Sequence, residues 1–197
     1  MSKPLIFQHG AAATAFTVVV ICWAAFELVM RTRQRIIADR PTGRDTSVVV
    51  LFPCLAASVT GAELLGRSGV LPWPGGGAWP LAAGLAAIAA GIGLRAWSIR
   101  TLGRFFQYRI RVQSGHRVVT GGPYRFVRHP SYTGIALSLT GIALASGDVL
   151  SLVLVAVIGG AGLWVRIRAE ERQLTGALGA DYERFAATRK RMIPGVW

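Results

Sequence analysis

The chemistry this chain could do is concentrated in two short stretches. In the first, Arg166, Arg168, Glu170 and Glu171 follow one another closely. On a helix Arg166 and Glu170 share a face at four residues apart, and Arg168 and Glu171 share one at three. Two readings are open: ion pairs on a solvated helix, or one acid turned inward to hold a cation, since ionisable groups at membrane depth usually have a function. In the second stretch His129 precedes Pro130, which suits the first turn of a helix. His129 then lies beside a helix N-terminus, where backbone N–H groups favour a carboxylate or phosphate. Tyr124 and Tyr132 flank it, and His116, Val118 and Val119 lie just upstream in a loop punctuated by glycine and proline.

The elements that must position these residues are apolar. The chain has 197 residues, of which 52% are hydrophobic and only 16% charged, against about 25% charged in an ordinary soluble domain. The charge is lopsided, with 22 Lys and Arg against 9 Asp and Glu. An apolar chain with a basic excess points to nucleic acid or an anionic membrane surface. The apolar runs decide for the membrane, because the basic loops are too short to fold as a nucleic-acid-binding domain. Cys22 and Cys54 sit in apolar runs, which excludes a disulfide scaffold. Scattered histidines and membrane cysteines give no metal-ligand spacing, so no metal is expected. Neither a P-loop nor a dinucleotide-binding glycine fingerprint is present.

A span needs about 20 apolar residues, and about 17 can suffice. Five runs qualify, at about 11–30, 47–65, 78–97, 131–147 and 149–166. The expected fold is therefore an all-α integral membrane protein of five transmembrane helices in a single domain. Asp148 alone separates the last two runs, which predicts a tight helical hairpin. Gly84, Gly91, Gly159, Gly160 and Gly162 would let helices approach closely. Glu27 and Glu63 lie near span ends and reach the interface, and Trp23, Trp73, Trp79 and Trp97 fit an interfacial belt. Arginines crowd the segments after spans one, three and five, while Arg67 is the only basic residue between spans two and three. Positive loops stay cytoplasmic. The N-terminus is thus expected outside, with the C-terminus and the active site in the cytoplasm of a multi-pass cell-membrane protein.

Arg128-His129-Pro130-Ser131-Tyr132-Thr133-Gly134 resembles the RHPxYxG signature of the isoprenylcysteine carboxyl methyltransferase and phospholipid methyltransferase superfamily. Gly115-His116, Val118-Val119-Thr120 and Gly122-Pro123-Tyr124 resemble that family's GHxLVxxGxY segment. Glu170-Glu171 with Leu178-Gly179-Ala180-Asp181-Tyr182 resembles its EE…FGxxY stretch, and Arg191 to Pro194 its closing R-x-x-P. The ordered set covers roughly residues 100 to 197. Leu178 replaces the usual Phe, and Phe185 stands where many members have a second Tyr.

The resemblance implies a membrane methyltransferase using S-adenosylmethionine, held in a cytoplasmic pocket built from 100–134 and 166–197 with a C-terminal helix. Carried over residue by residue, His116, Val118 and Val119 would line the adenosine end. Tyr124, His129 and Tyr132 would contact the methionine part. One of Glu170 and Glu171, with Glu171 favoured, would hold the amino group. Arg166 or Arg168 would face the methyl acceptor, with Tyr132 beside it at the reacting centre. The partners implied are the bilayer and a lipophilic acceptor entering from it. A carboxylate acceptor needs no base, only a cation to orient it, and the guanidinium fork suits that; an amine must first lose a proton. The excess of arginine over acids near the site favours a carboxylate. A phospholipid N-methyltransferase is the alternative enzyme, and a non-catalytic membrane scaffold the alternative of another class.

Overall fold

The computed structural model describes residues 4–7, 10–37, 46–74, 78–106 and 117–197. His9, His116 and the arginines within 38–45 and 107–116 lie outside the described residues. The described chain is all-helical, with no strand among the described residues. In order come α1 (Ala11–Ile37), α2 (Ser47–Ser68), α3 (Trp79–Leu102), α4 (Pro130–Ala145), α5 (Val149–Leu154), α6 (Gly160–Leu178) and α7 (Ala180–Thr188). One π-helical turn, Val155–Gly159, joins α5 to α6, so that 149–178 runs on as one rod.

Four segments are long and apolar enough to cross a membrane: Ala11–Met30, Ser47–Ser68, Trp79–Phe105 and Val149–Leu178. The fourth expected run is different. It forms α4, whose 16 residues reach about 24 Å against a hydrocarbon core of about 30 Å. Its residues are mostly buried, and its main neighbour is α3 rather than the helix that follows it.

Glycine explains that pairing. A Cβ placed on Gly84 would stand 2.5 Å from the Gly141 carbonyl oxygen, and one on Gly91 the same distance from that of Gly134. The reciprocal pairs run antiparallel, seven residues apart on each helix, so the backbones touch where side chains are missing. Gly162 meets Cys54 and Gly159 meets Leu139 and Ser58 in the same way, whereas a Cβ on Gly160 would meet nothing within 4 Å. Trp23, expected in the interfacial belt, is instead buried in the main core.

At one end of the bundle Asp148 is fully buried. Its carboxylate accepts from Leu150 N at 2.8 Å and Leu71 N at 2.7 Å, capping α5 and tying it to the α2–α3 connection. At the other end Tyr124, Tyr182 and Phe185 form a second small core with Leu102, Val118, Val119, Leu174 and Leu178. The two ends are therefore built differently, one as a closed turn and the other as an aromatic cap over a cavity.

Candidate active site

The residues before α4 are held in place by the chain's last segment. Arg128 N donates to Lys190 O at 2.8 Å and His129 N to Arg191 O at 2.9 Å, a short parallel pairing. Thr133 Oγ1 adds a bond to Met192 O at 3.0 Å. His129 is thereby fixed as the residue preceding α4, buried, with no side-chain capping bond. Its Nε2 lies 3.2 Å from Glu171 Oε1 instead. Arg128 Nη1 meets the same oxygen at 2.8 Å, and Arg191 holds Oε2 through Nη2 at 2.9 Å and Nε at 3.0 Å. The carboxylate expected beside His129 is thus the chain's own. Glu171 is a structural hub that locks α6, the α4 start and the C-terminal segment together.

Glu170, one residue earlier, points elsewhere. Tyr132 Oη donates to Glu170 Oε2 at 2.5 Å, and Arg166 Nε donates to Tyr132 Oη at 3.0 Å. Arg166 Nη1 reaches Ser47 Oγ at 2.8 Å. Arg166 is only 2% exposed, so its charge is held inside the bundle by a hydroxyl from α2 and a phenol from α4. A buried guanidinium held by oxygens on two sides is oriented before any ligand arrives.

These groups open on one cavity, with about 1150 Å³ of empty space including its mouth. One end is apolar and aromatic, walled by Val118, Val119, Leu174, Leu178, Tyr182 and Phe185. The middle carries Tyr124, His129, Tyr132, Arg166 and Glu170. The far end is an apolar wall from α2, made of Val48, Leu51, Phe52 and Leu55. Burial and the neighbouring carboxylate of Glu170 push the Tyr124 phenol well above its ordinary range. Burial and the carboxylates of Glu171 and Glu170 do the same to Tyr182, against the pull of Arg128. Both stay neutral hydrogen-bonding groups at physiological pH.

The structure brings Val118, Val119, Tyr124, His129, Tyr132, Glu170 and Arg166 to this cavity, and Glu171 and Arg168 do not line it. Arg168 is exposed, its guanidinium carbon 4.4 Å from the centre of the Trp164 ring. Two residues along a helix is about 200° of rotation, so Arg166 and Arg168 cannot both face inward. Glu171 contributes at one remove, by fixing His129. Leu178 and Phe185, the two departures from the motif pattern, both line the aromatic end. His116 lies outside the described residues.

Sequence reasoning missed a second polar pair. Arg95, 3% exposed, forms a salt bridge with Glu27, its Nη2 donating to Glu27 Oε2 at 2.7 Å. Its Nη1 donates to Ser131 Oγ at 2.7 Å. Glu27 therefore does not reach the interface: it meets Arg95 inside the bundle, and both line the cavity. The available signal was Glu27 itself, the one charge in a 20-residue apolar run.

The fold and site together define an all-helical protein with membrane-length helices and a mixed polar and apolar cavity at one end of the bundle. Residues 83–176 match the isoprenylcysteine carboxyl methyltransferase (ICMT) family. It is 33% identical over 115 residues to protein-S-isoprenylcysteine O-methyltransferase B of Arabidopsis thaliana, covering 57% of this chain and 58% of the relative. It is 34% identical over 85 residues to protein-S-isoprenylcysteine O-methyltransferase of Schizosaccharomyces pombe, covering 41% and 33%. A Bacillus subtilis protein, YpbQ, is 32% identical over 92 residues, covering 46% and 55%. The chain thus spans between a third and about three-fifths of these relatives' lengths.

Proposed function

We propose that this protein is a single-domain, S-adenosylmethionine-dependent membrane methyltransferase acting on a lipophilic carboxylate. The observation that carries the reading is Arg166. It is a buried guanidinium that lines the cavity, held between Tyr132 of α4 and Ser47 at the start of the helix that supplies the apolar wall. The residues present also fit the cofactor. The aromatic end suits a purine, and Glu170, with Tyr124 and His129 beside it, suits a cationic amino acid moiety. When bound, S-adenosylmethionine would supply an electrophilic methyl group on a sulfonium.

The protein's own part is positioning and electrostatics. Arg166 would orient the acceptor carboxylate, the nucleophile, toward the methyl group that the cofactor would supply. Ser47 and Tyr132 hold Arg166. The aromatic cap of Tyr124, Tyr182 and Phe185 keeps water out. No proton need be removed, so no base is required.

The topology proposed is five crossings, with α4 as a short, protein-buried fourth crossing that forms a hairpin with the α5–α6 rod. The N-terminus lies outside, and the C-terminus and the cavity mouth are cytoplasmic. The arginine distribution supports this orientation. The acceptor enters past α2 and the cofactor enters from the cytoplasm.

The test uses full-length protein in nanodiscs. Titration should give saturable S-adenosylmethionine binding that is weakened at least tenfold in Glu170→Gln. Methyl transfer should occur to a lipidated carboxylate and not to its methyl ester or to phosphatidylethanolamine. Transfer to the phospholipid amine instead would replace the carboxylate reading, with Glu170 as the carboxylate in reach of the proton. Folded protein that binds no cofactor would leave the scaffold reading.

A further inference from the structure

A second, apolar hollow lies on the outer side of α4, away from the reaction cavity. Ala136, Leu139 and Thr140 of α4 form one wall, and Val155, Ala156, Gly159, Gly160 and Leu163 of the rod form the other. Met192 and Trp197 close one end. The hollow has about 700 Å³ of empty space with its open side included. Along this wall the rod changes from α to π winding at Val155–Gly159, a local widening that often marks a functional position. Gly160 adds no side chain there, and a Cβ on it would meet nothing within 4 Å. The neighbouring Gly159 and Gly162 are instead packed, against Leu139 and Ser58 and against Cys54.

The polar end of the hollow has a definite chemistry. Trp197, which closes it, stacks on Trp164 with ring centres 5.5 Å apart and planes 15° from parallel. The Arg168 guanidinium carbon lies 4.4 Å from the Trp164 ring centre, and that of Arg191 lies 5.8 Å from the Trp197 ring centre. Arg191 is already paired with Glu171. Arg168 forms no ion pair among the described residues and is exposed. Gly160, Trp164 and Arg168 follow at four-residue steps, one stripe of α6 leading from the hollow to the helix's polar end. Tryptophan beside arginine at the end of an apolar groove is the arrangement of a bilayer interface, with the cation at headgroup height.

We infer that this hollow is a lipid site: an acyl chain of an anionic glycerophospholipid lies between α4 and the π turn, and its phosphate meets Arg168. The charge decides the occupant. A guanidinium that forms no ion pair among the described residues, set over tryptophan beside an apolar groove, favours an anionic lipid over a zwitterionic one, and the mostly apolar walls suit an acyl chain. The site is separate from the reaction cavity and does not depend on the proposed reaction. It gives Arg168 a role that the cavity does not.

The experiment is native mass spectrometry of the full-length protein, delipidated in detergent and then offered phosphatidylglycerol or phosphatidylcholine with the same chains. One retained phosphatidylglycerol is expected, with about a fivefold preference over phosphatidylcholine, the scale of one arginine at an anionic interface. Arg168→Gln should bring the two lipids to near parity. Gly160→Phe should abolish retention of both, with its melting temperature in lipid-free detergent kept close to the parent's. If Gly160→Phe does not fold, Ala156→Phe, whose parent residue is exposed on the groove wall, is read in its place. Equal retention of the two lipids by the parent protein, or retention unchanged by the groove-filling variant, would overturn the inference. So would a lipid-free dimer that the groove-filling variant dissolves, which would make the hollow an interface between two copies.

Discussion

The two halves of this chain meet in one cavity but carry different kinds of information. Residues after about 100 hold the motif residues, and these form a network whose members are a few positions apart on α4 and α6 or paired across the chain's last segment. Residues before 100 hold no motif, yet they contribute Ser47 to Arg166, the Glu27–Arg95 pair and the apolar α2 wall. On the proposed function the difference would separate two tasks. Holding a charged cofactor requires a fixed set of polar groups at fixed spacing. Receiving a lipophilic acceptor requires a wall, which many apolar sequences can supply. The comparison predicts that damage to the first half will change stability and acceptor use, and damage to the second will chiefly change rate, through the cofactor at Glu170 or through the acceptor at Arg166.

The largest effect is expected at Glu27. Removing it leaves the Arg95 charge inside the bundle, a situation that costs about 3–5 kcal/mol when one partner of a buried pair is lost. Glu27→Gln should therefore unfold at markedly lower denaturant in mixed micelles. Glu27→Leu combined with Arg95→Met should recover most of the loss, since the apolar pair buries no charge. If the double variant is as unstable as the single one, the pair does more than neutralise itself.

Next in size is Arg166→Lys. The ammonium cannot span Tyr132 Oη and Ser47 Oγ as the guanidinium does, so on the proposed function the acceptor carboxylate would lose its orienting group. Loss of one preorganised donor at a reacting centre is typically worth about a hundredfold or more in turnover. Steady-state kinetics should show kcat falling by about that factor, with cofactor affinity from titration changed less than threefold. A parallel loss of cofactor affinity would move Arg166 from the acceptor's side to the cofactor's.

The α3–α4 contact comes third. Gly134→Val would drive a side chain against the Gly91 carbonyl and Arg95, and overpacking of this kind costs about 1–3 kcal/mol. Melting temperature should fall and methyl transfer should fall with it, because the same helix carries Tyr132. Gly160→Ala, on the open side of the rod, should leave the melting temperature unchanged.

How much of this was legible follows from what each feature depends on. The helices and their approximate limits were legible, because a long apolar run has few other ways to satisfy its backbone. Most of the described motif residues of the second half, read in the sequence as one ordered set, line one cavity. Which member of each pair faces inward was not legible. Glu170 rather than Glu171, and Arg166 rather than Arg168, line the cavity because of the rotation of α6 against α4, and spacing along one helix cannot set that rotation. The hub around Glu171 depends on Lys190 to Met192 pairing with Arg128 to Thr133, a contact between segments about 60 residues apart. The end of α4 was expected two residues late, because Ser146 and Gly147 are small and uncharged enough to extend the run yet form the turn before Asp148.

Ser47 sharpens the comparison most finely, because it is a first-half residue acting on a second-half one. It opens α2, is buried, and accepts a hydrogen bond from Arg166 Nη1 at 2.8 Å. It does not itself line the cavity, so any part it has in the proposed reaction would run through Arg166. Ser47→Ala should cost about 1.5–3 kcal/mol, the value of a hydrogen bond to a charged group, if the bond stabilises the fold. If it chiefly positions Arg166, the cost in stability will be smaller and KM for the acceptor will rise a few-fold while cofactor affinity holds. Ser47→Thr keeps the hydroxyl and should restore acceptor KM, a rescue that a purely structural role would not produce. Acceptor-dependent kinetics on the three proteins, with melting temperatures beside them, separate the two halves' contributions at a single hydrogen bond.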